Sequence, residues 1–120
     1  MSKKIKRGDV YLVNLNPVTG TELGKTRPAV VISNDINNTY SDTVTIVPIT
    51  SNVDKVYPFE IFIAKGEGGL DKDSKAKCNQ IRTIDKKRLH KYIGALKEDR
   101  IRELEGAILI HLDIRMHFTV

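Results

Sequence analysis

Short runs of strand-like residues at regular spacing, then one segment of helical period, predict a mainly β fold. The expected architecture is a small, strongly bent antiparallel sheet or partly open barrel carrying a C-terminal helix. Two observations support it. Between Gly8 and Leu96, β-branched and aromatic runs are punctuated by Pro, Gly, Asn and Asp, and after Leu96 the apolar residues recur three and four apart. A length of 120 residues with 40% hydrophobic content suits a single domain, residues 1–120, with one core.

Residues 8–15 (Gly-Asp-Val-Tyr-Leu-Val-Asn-Leu) are apolar on both alternating faces and stop at Asn16-Pro17, so they read as a strand covered on both sides. Residues 20–28 form a polar loop with two glycines. This loop hands over at Arg27-Pro28 to a second apolar strand at residues 29–33, with Pro28 at its start, where a missing donor does little harm. Residues 35–42 are dense in turn formers and read as a loop. Residues 43–49 alternate Thr43 and Thr45 with Val44 and Ile46, predicting a half-exposed strand that Pro48 curtails, with Thr50 just past its end.

A fourth strand is expected at residues 59–63. The glycine-rich stretch 65–70 follows as a mobile turn, since it lacks the spacing of a phosphate-binding loop. Residues 75–83 read as a fifth strand with Cys78 in its interior and Asn79 or Gln80 on its polar face. Residues 85–89 read as one helical turn and 92–96 as a last strand. Ile101, Leu104, Ile108 and Leu112 mark one stripe of a helix over residues 98–112, whose start at Lys97 lacks a capping side chain. The surplus apolar surface at Ala107-Ile108-Leu109-Ile110 calls for a further cover such as a partner subunit.

The formal charge of +5 is modest, and its distribution matters more. Lys75, Lys77, Arg82, Lys86, Lys87, Arg88 and Lys91 face only Asp85 in one block. A second basic block precedes residue 28. Brought together by the fold, the two would attract a polyanion. One cysteine, no apolar run of membrane-spanning length and no signal-peptide h-region make the cytoplasm the expected compartment. His90, His111 and His117 are scattered and no serine sits in a glycine elbow, so neither a metal site nor a hydrolase triad is expected.

What remains at loop–strand junctions is Glu22, Lys25, Arg27, Thr50, Ser51 and Gln80. Arginine presents a planar fork matched to phosphate oxygens, and hydroxyls and amides satisfy the other acceptors. RNA carries its own nucleophile, the 2′-hydroxyl beside the phosphate, so orientation and charge stabilisation can suffice for cleavage. A metal-free ribonuclease built from Arg, Thr and Glu is physically plausible.

The motifs themselves add more. Arg7-Gly8-Asp9-Val10-Tyr11, Leu15-Asn16-Pro17, Gly24-Lys25-Thr26-Arg27-Pro28-Ala29-Val30-Val31-Ile32-Ser33-Asn34-Asp35, Val47-Pro48-Ile49-Thr50-Ser51, Gly66-Glu67-Gly68-Gly69-Leu70 and Gln80-Ile81-Arg82-Thr83-Ile84-Asp85 occur in this order. Together they resemble the MazF/PemK family of toxin endoribonucleases over nearly the whole chain, ending near Leu112. The resemblance implies a small SH3-like barrel with a C-terminal helix, acting as a homodimer with single-stranded RNA along a groove at the dimer face. It implies metal-independent cleavage at a short sequence, inhibition of translation and neutralisation by a cognate acidic antitoxin, with no cofactor. Family catalytic positions fall on Arg27 and Thr50. The RNA-binding positions fall on Asn16, Pro17, Thr19, Thr21, Glu22, Lys25, Ser51 and Gln80. Leu23 stands where the family often has a glutamine, which removes one amide from this loop, and the tail from His111 to Val120 has no match.

Two other functions share parts of this pattern. A barrel-fold toxin acting on DNA gyrase would be expected to depend on a C-terminal tryptophan, and the chain has no Trp. A non-catalytic nucleic-acid-binding barrel would use the basic blocks but gives no reason to pair Arg27 with Thr50.

Overall fold

In the computed structural model, residues 3–115 are described. Strands β1 (Asp9–Asn14), β2 (Thr26–Val31), β3 (Thr43–Thr50), β4 (Glu60–Ile63), β5 (Ser74–Lys77), β6 (Arg82–Asp85) and β7 (Leu89–Ala95) form one seven-stranded sheet. Helix α1 (Asp35–Tyr40) links β2 to β3, and α2 (Glu98–His111) follows β7. Every pairing is antiparallel, along the order β4-β5-β3-β2-β1-β7, with β6 also on β3. The mainly β architecture with its terminal helix is the one expected. The barrel stays open: β4 and β7 end the path and do not pair with each other.

Two apolar clusters explain why β1 and β2 lack a polar alternate face. Val10, Val30, Val47 and Ile49 point into one, together with Ile101, Leu104 and Ala107 of α2. Tyr11, Val13, Ala29, Val31, Val44 and Ile46 point into the other. Successive strand residues face opposite sides, so a strand covered on both sides must be apolar throughout. The same holds for the second half of β3, where Ile46 to Thr50 are all buried.

Several expectations are corrected. Residues 35–40 are helical instead of a loop: the Asn34 side chain accepts from Asn37 N–H as an N-cap, and Asn38 is buried with its amide donating to Ser33 O. Turn formers are also cap formers, and their composition does not separate the two. Pro48 does not end β3. It lies between the part of the strand paired with β6 (Thr43 to Ile46) and the part paired with β5 (Ile49 and Thr50), so Thr50 is the last residue of the strand. The expected fifth strand is two, β5 and β6, joined by a 3₁₀ turn at Cys78–Gln80. Cys78 is fully buried, and burial, with a smaller contribution from Glu60, pushes its thiol pKa up to about 12.

The glycine-rich stretch is anchored instead of mobile. It forms a 3₁₀ turn at Glu67–Gly69, and Arg100 Nε donates to Glu67 Oε2 at 2.8 Å. At Gly69, φ is +77° and a Cβ would stand 1.8 Å from Ile93 O, so this turn lies directly on the β7 backbone. In α2 the buried stripe is Ile101, Leu104 and Ala107, whereas Leu112 lies past the helix and is exposed. Lys97 begins the helix without a side-chain cap, as expected. No helix among the described residues is long and apolar enough to cross a membrane.

Candidate functional site

Arg27 is the second residue of β2 and Thr50 the last of β3. These strands pair as Val31 with Ile46, Val30 with Val47 and Ala29 with Pro48. The ladder ends at Ala29–Pro48, and Arg27 and Thr50 each lie two residues past that end, on β2 and β3. Strand alternation puts both on the face occupied by Ala29, Val31, Val44 and Ile46. Residues far apart in sequence thus come to the same end of one strand pair.

The Arg27 guanidinium is anchored at one nitrogen. Its Nε donates to Gly24 O at 2.8 Å, and no carboxylate lies within ion-pairing distance among the described residues. A half-buried cation held at Nε, with its terminal nitrogens uncommitted to an acid, is arranged to receive an external anion. Thr50 is 9% exposed, and its Oγ1 accepts weakly from Asn52 N–H at 3.3 Å, keeping its own proton for donation.

The loop before Arg27 is built from side-chain-to-backbone bonds. Asn16 Oδ1 accepts from Lys25 N–H at 2.9 Å, and Glu22 Oε1 accepts from Thr19 N–H at 2.6 Å. Lys25 adopts a left-handed φ of +66°. A Cβ on Gly24 would come within 2.6 Å of Asn16 Oδ1, so the glycine here serves close packing instead of mobility. Arg82 donates to Leu15 O at 3.1 Å, and Arg88 donates to Asn14 O at 3.1 Å and also to Asn16 O. These two arginines bring part of the Lys75–Lys91 block against the backbone that leads into the Arg27 loop.

The rest of that block behaves differently. Lys75 and Lys77 both reach the fully buried Glu60 carboxylate at 3.0 Å, and Lys75 pairs across the ladder with Thr50. Burial raises the pKa of Glu60 as the largest single effect. The bonds from Tyr57 N–H, Lys77 and Lys75 outweigh it and hold the carboxyl below its usual range. These two lysines are therefore spoken for and do not attract a polyanion.

Among the sequence-predicted residues, Pro17, Glu22 and Gln80 line one cavity of about 410 Å³ with Asn79, Ile81 and Arg82. Gln80 Oε1 accepts from Leu23 N–H at 3.4 Å, joining the loop to the turn after β5. Leu23 itself packs against the cluster containing Tyr11 and Val13. Asn16, Thr19, Thr21, Lys25 and Ser51 are exposed. Ser51 lies beside Thr50 at the end of β3, and neither lines the cavity. Sequence reasoning missed the Arg82 and Arg88 clamps and the buried Glu60 group. The spacing of Lys75 and Lys77, two apart on one strand face, was the available signal for the latter. Among the described residues, which leave out His117, no group of three or more His, Cys, Asp or Glu could hold a metal ion.

Comparison with known proteins bears on the family and the fold. The endoribonuclease MazF9 of Mycobacterium tuberculosis (strain ATCC 25618 / H37Rv) is 39% identical over 115 residues, covering 92% of this chain and 98% of the relative. The crystal structure of MazF (Form-I) from Deinococcus radiodurans superposes with a TM-score of 0.82 at 24% identity, covering 94% of this chain and all of that one. An endoribonuclease in complex with its cognate antitoxin from a mycobacterial species gives a TM-score of 0.78 at 19% identity, covering 94% and 99%. The two structural likenesses concern the fold. Residues 6–112 match the description "PemK-like, MazF-like toxin of type II toxin-antitoxin system", and with the 39% identical relative this shows that the chain belongs to that family.

Proposed function

We propose that this chain is the toxin of a type II toxin–antitoxin pair and cleaves single-stranded RNA without a metal ion, thereby blocking translation. The observation that supports the reading is the β2–β3 ladder: Arg27 and Thr50 each lie two residues past its Ala29–Pro48 end, on strands that alternate toward one sheet face. In the proposed reaction the RNA 2′-oxygen attacks the adjacent phosphorus and the bond to the 5′-oxygen breaks, leaving a cyclic phosphate and a free 5′-hydroxyl. Negative charge grows on the non-bridging oxygens during attack. The free terminal nitrogens of Arg27 and the Thr50 hydroxyl donate to those oxygens, and they do so best in the transition state. Arginine stays protonated in proteins, so its part is electrostatic. Lys25, Ser51, Gln80 and the loop from Asn16 to Glu22 hold the flanking nucleotides.

The assembly proposed is a homodimer bound in the cell by an acidic antitoxin. The apolar residues Ile110 and Leu112, 58% and 49% exposed, and the basic loop region suit such partners.

The test is incubation of the purified protein with a long RNA in EDTA, with the cut sites mapped. Wild type should cut at defined positions. Arg27→Ala and Thr50→Ala should keep their fold and lose cleavage by about 100-fold or more. Intact RNA with wild type, or equal cutting by Arg27→Ala, would overturn the reading.

A further inference from the structure

A cavity of about 440 Å³ opens between β1, β7 and the N-terminal segment, and no residue given to cleavage lines it. Its shape starts from an irregular strand. β7 pairs with β1 as Tyr92 with Tyr11, Lys91 with Leu12 and Leu89 with Val13, which leaves His90 as an extra, bulged residue. In a regular strand Leu89 and Tyr92, three apart, would face opposite sides. The bulge puts both on the face of Tyr11 and Val13. Ile5 and Leu89 pack against the cluster that holds Tyr11, which gives the cavity an apolar base. Tyr92 is 38% exposed and meets Tyr11 edge to face, with ring centroids 5.6 Å apart.

Apart from the two tyrosines, the ionisable lining is basic: Lys3, Lys86 and His90. Lys3 is committed, with Nζ 3.2 Å from Asp9 Oδ2 and 4.5 Å from the centre of the Tyr92 ring. Lys86 and His90 have no acid partner among the described residues. An apolar base beside uncommitted basic groups suits a ligand that is apolar at one point and acidic around it. Two observations favour a peptide over an RNA base. No Asn, Gln, Ser, Thr, Asp or Glu lines the cavity to read a base edge. Lys3 lies over the Tyr92 ring and Tyr11 abuts it, so this aromatic is not an open stacking platform. We infer that the cavity docks an acidic peptide segment through one apolar side chain and leaves Arg27 and Thr50 open to RNA. β7 ends the sheet path, so the segment meets no further strand there among the described residues. The inference rests on the proposed acidic partner and goes beyond it by placing one of its contacts apart from the cleavage residues.

The probes are capped octapeptides of alternating Glu and Leu, or of alternating Glu and Ser. They are titrated against the full chain, against Tyr92→Ala and against the double variant Lys86→Gln, His90→Gln. Circular dichroism checks that each variant is folded, as substitutions of exposed or half-buried residues should be. Wild type should bind the Glu-Leu peptide about tenfold tighter than the Glu-Ser peptide, the worth of one buried leucine side chain. Each folded variant should bind the Glu-Leu peptide about fivefold more weakly or worse. In parallel, a long RNA is incubated with wild type, with and without saturating Glu-Leu peptide, and cutting should change by less than about twofold. Equal binding of the two peptides by wild type overturns the inference. Unchanged binding of the Glu-Leu peptide by both variants overturns it as well, and so does loss of cutting at peptide saturation. A wild type that cuts RNA but binds neither peptide overturns the docking site and leaves the endoribonuclease reading standing. The expected peptide pattern, with RNA left intact by wild type alone, sustains the docking site and overturns that reading.

Discussion

Lys75 and Lys77 meet a buried carboxylate, whereas Arg27, Arg82 and Arg88 meet backbone carbonyls and no acid among the described residues. Both groups come from the same basic stretches of sequence, and β3 runs between them, with Thr50 paired to Lys75 and lying, like Arg27, two residues past the β2–β3 ladder. The lysines neutralise Glu60 and close a strand pair. The arginines shape a loop and keep positive charge available. The difference teaches that a basic block is not one property: only the cations without an acid partner contribute to an anion-binding surface.

The comparison breaks most readily at Glu60. Glu60→Gln strands two cations, one nearly buried, and should cost about 3 kcal/mol of unfolding free energy, read from urea titration at neutral pH. Hydrogen bonds hold the folded-state pKa of Glu60 below its unfolded value. Its contribution is therefore complete above the ordinary carboxylate pKa and lost as pH falls through the lower folded-state value. The stability gap between wild type and the Gln variant should shrink on acidification through that window. A gap that is constant with pH would show that the triad is not the source.

A smaller effect is expected at Gly24. The new Cβ of Gly24→Ala would displace Asn16 Oδ1 from Lys25 N–H and shift the carbonyl that anchors Arg27. Cleavage should drop by about tenfold, with stability changed by less than about 1 kcal/mol. Unaltered cleavage would mean that loop geometry does not position the arginine. The smallest effect belongs to Arg88→Ala, which removes two carbonyl contacts from a half-buried guanidinium. It should cost about 1 kcal/mol and weaken RNA binding with a shallower salt dependence. An unchanged salt slope would place Arg88 with the structural cations instead.

Much of the fold was legible because it depends on local pattern. Apolar residues on both faces from Val10 to Leu15 and from Ala29 to Val31 signal strands buried on two sides, and the period change after Leu96 signals a helix. The misreadings cluster where local chemistry is ambiguous. Asn34 to Tyr40 could cap a helix or make turns, and only the burial of Asn38 against Ser33 settles it. Gly68 and Gly69 read as freedom and proved to be contact with β7, since a missing side chain permits either.

For the candidate site, the sequence by itself determined which chemistry is on offer: arginine, hydroxyls and amides at loop–strand junctions, in motifs that match a family. Tertiary structure decided which of these groups meet. It carried Arg27 and Thr50 past the same end of the β2–β3 ladder, gave Lys75 and Lys77 to Glu60, and clamped the Asn14–Asn16 backbone with Arg82 and Arg88. The reason is physical. Residue type fixes what a side chain can donate or accept, while pairing depends on strand register and burial, which contacts distant in sequence establish together.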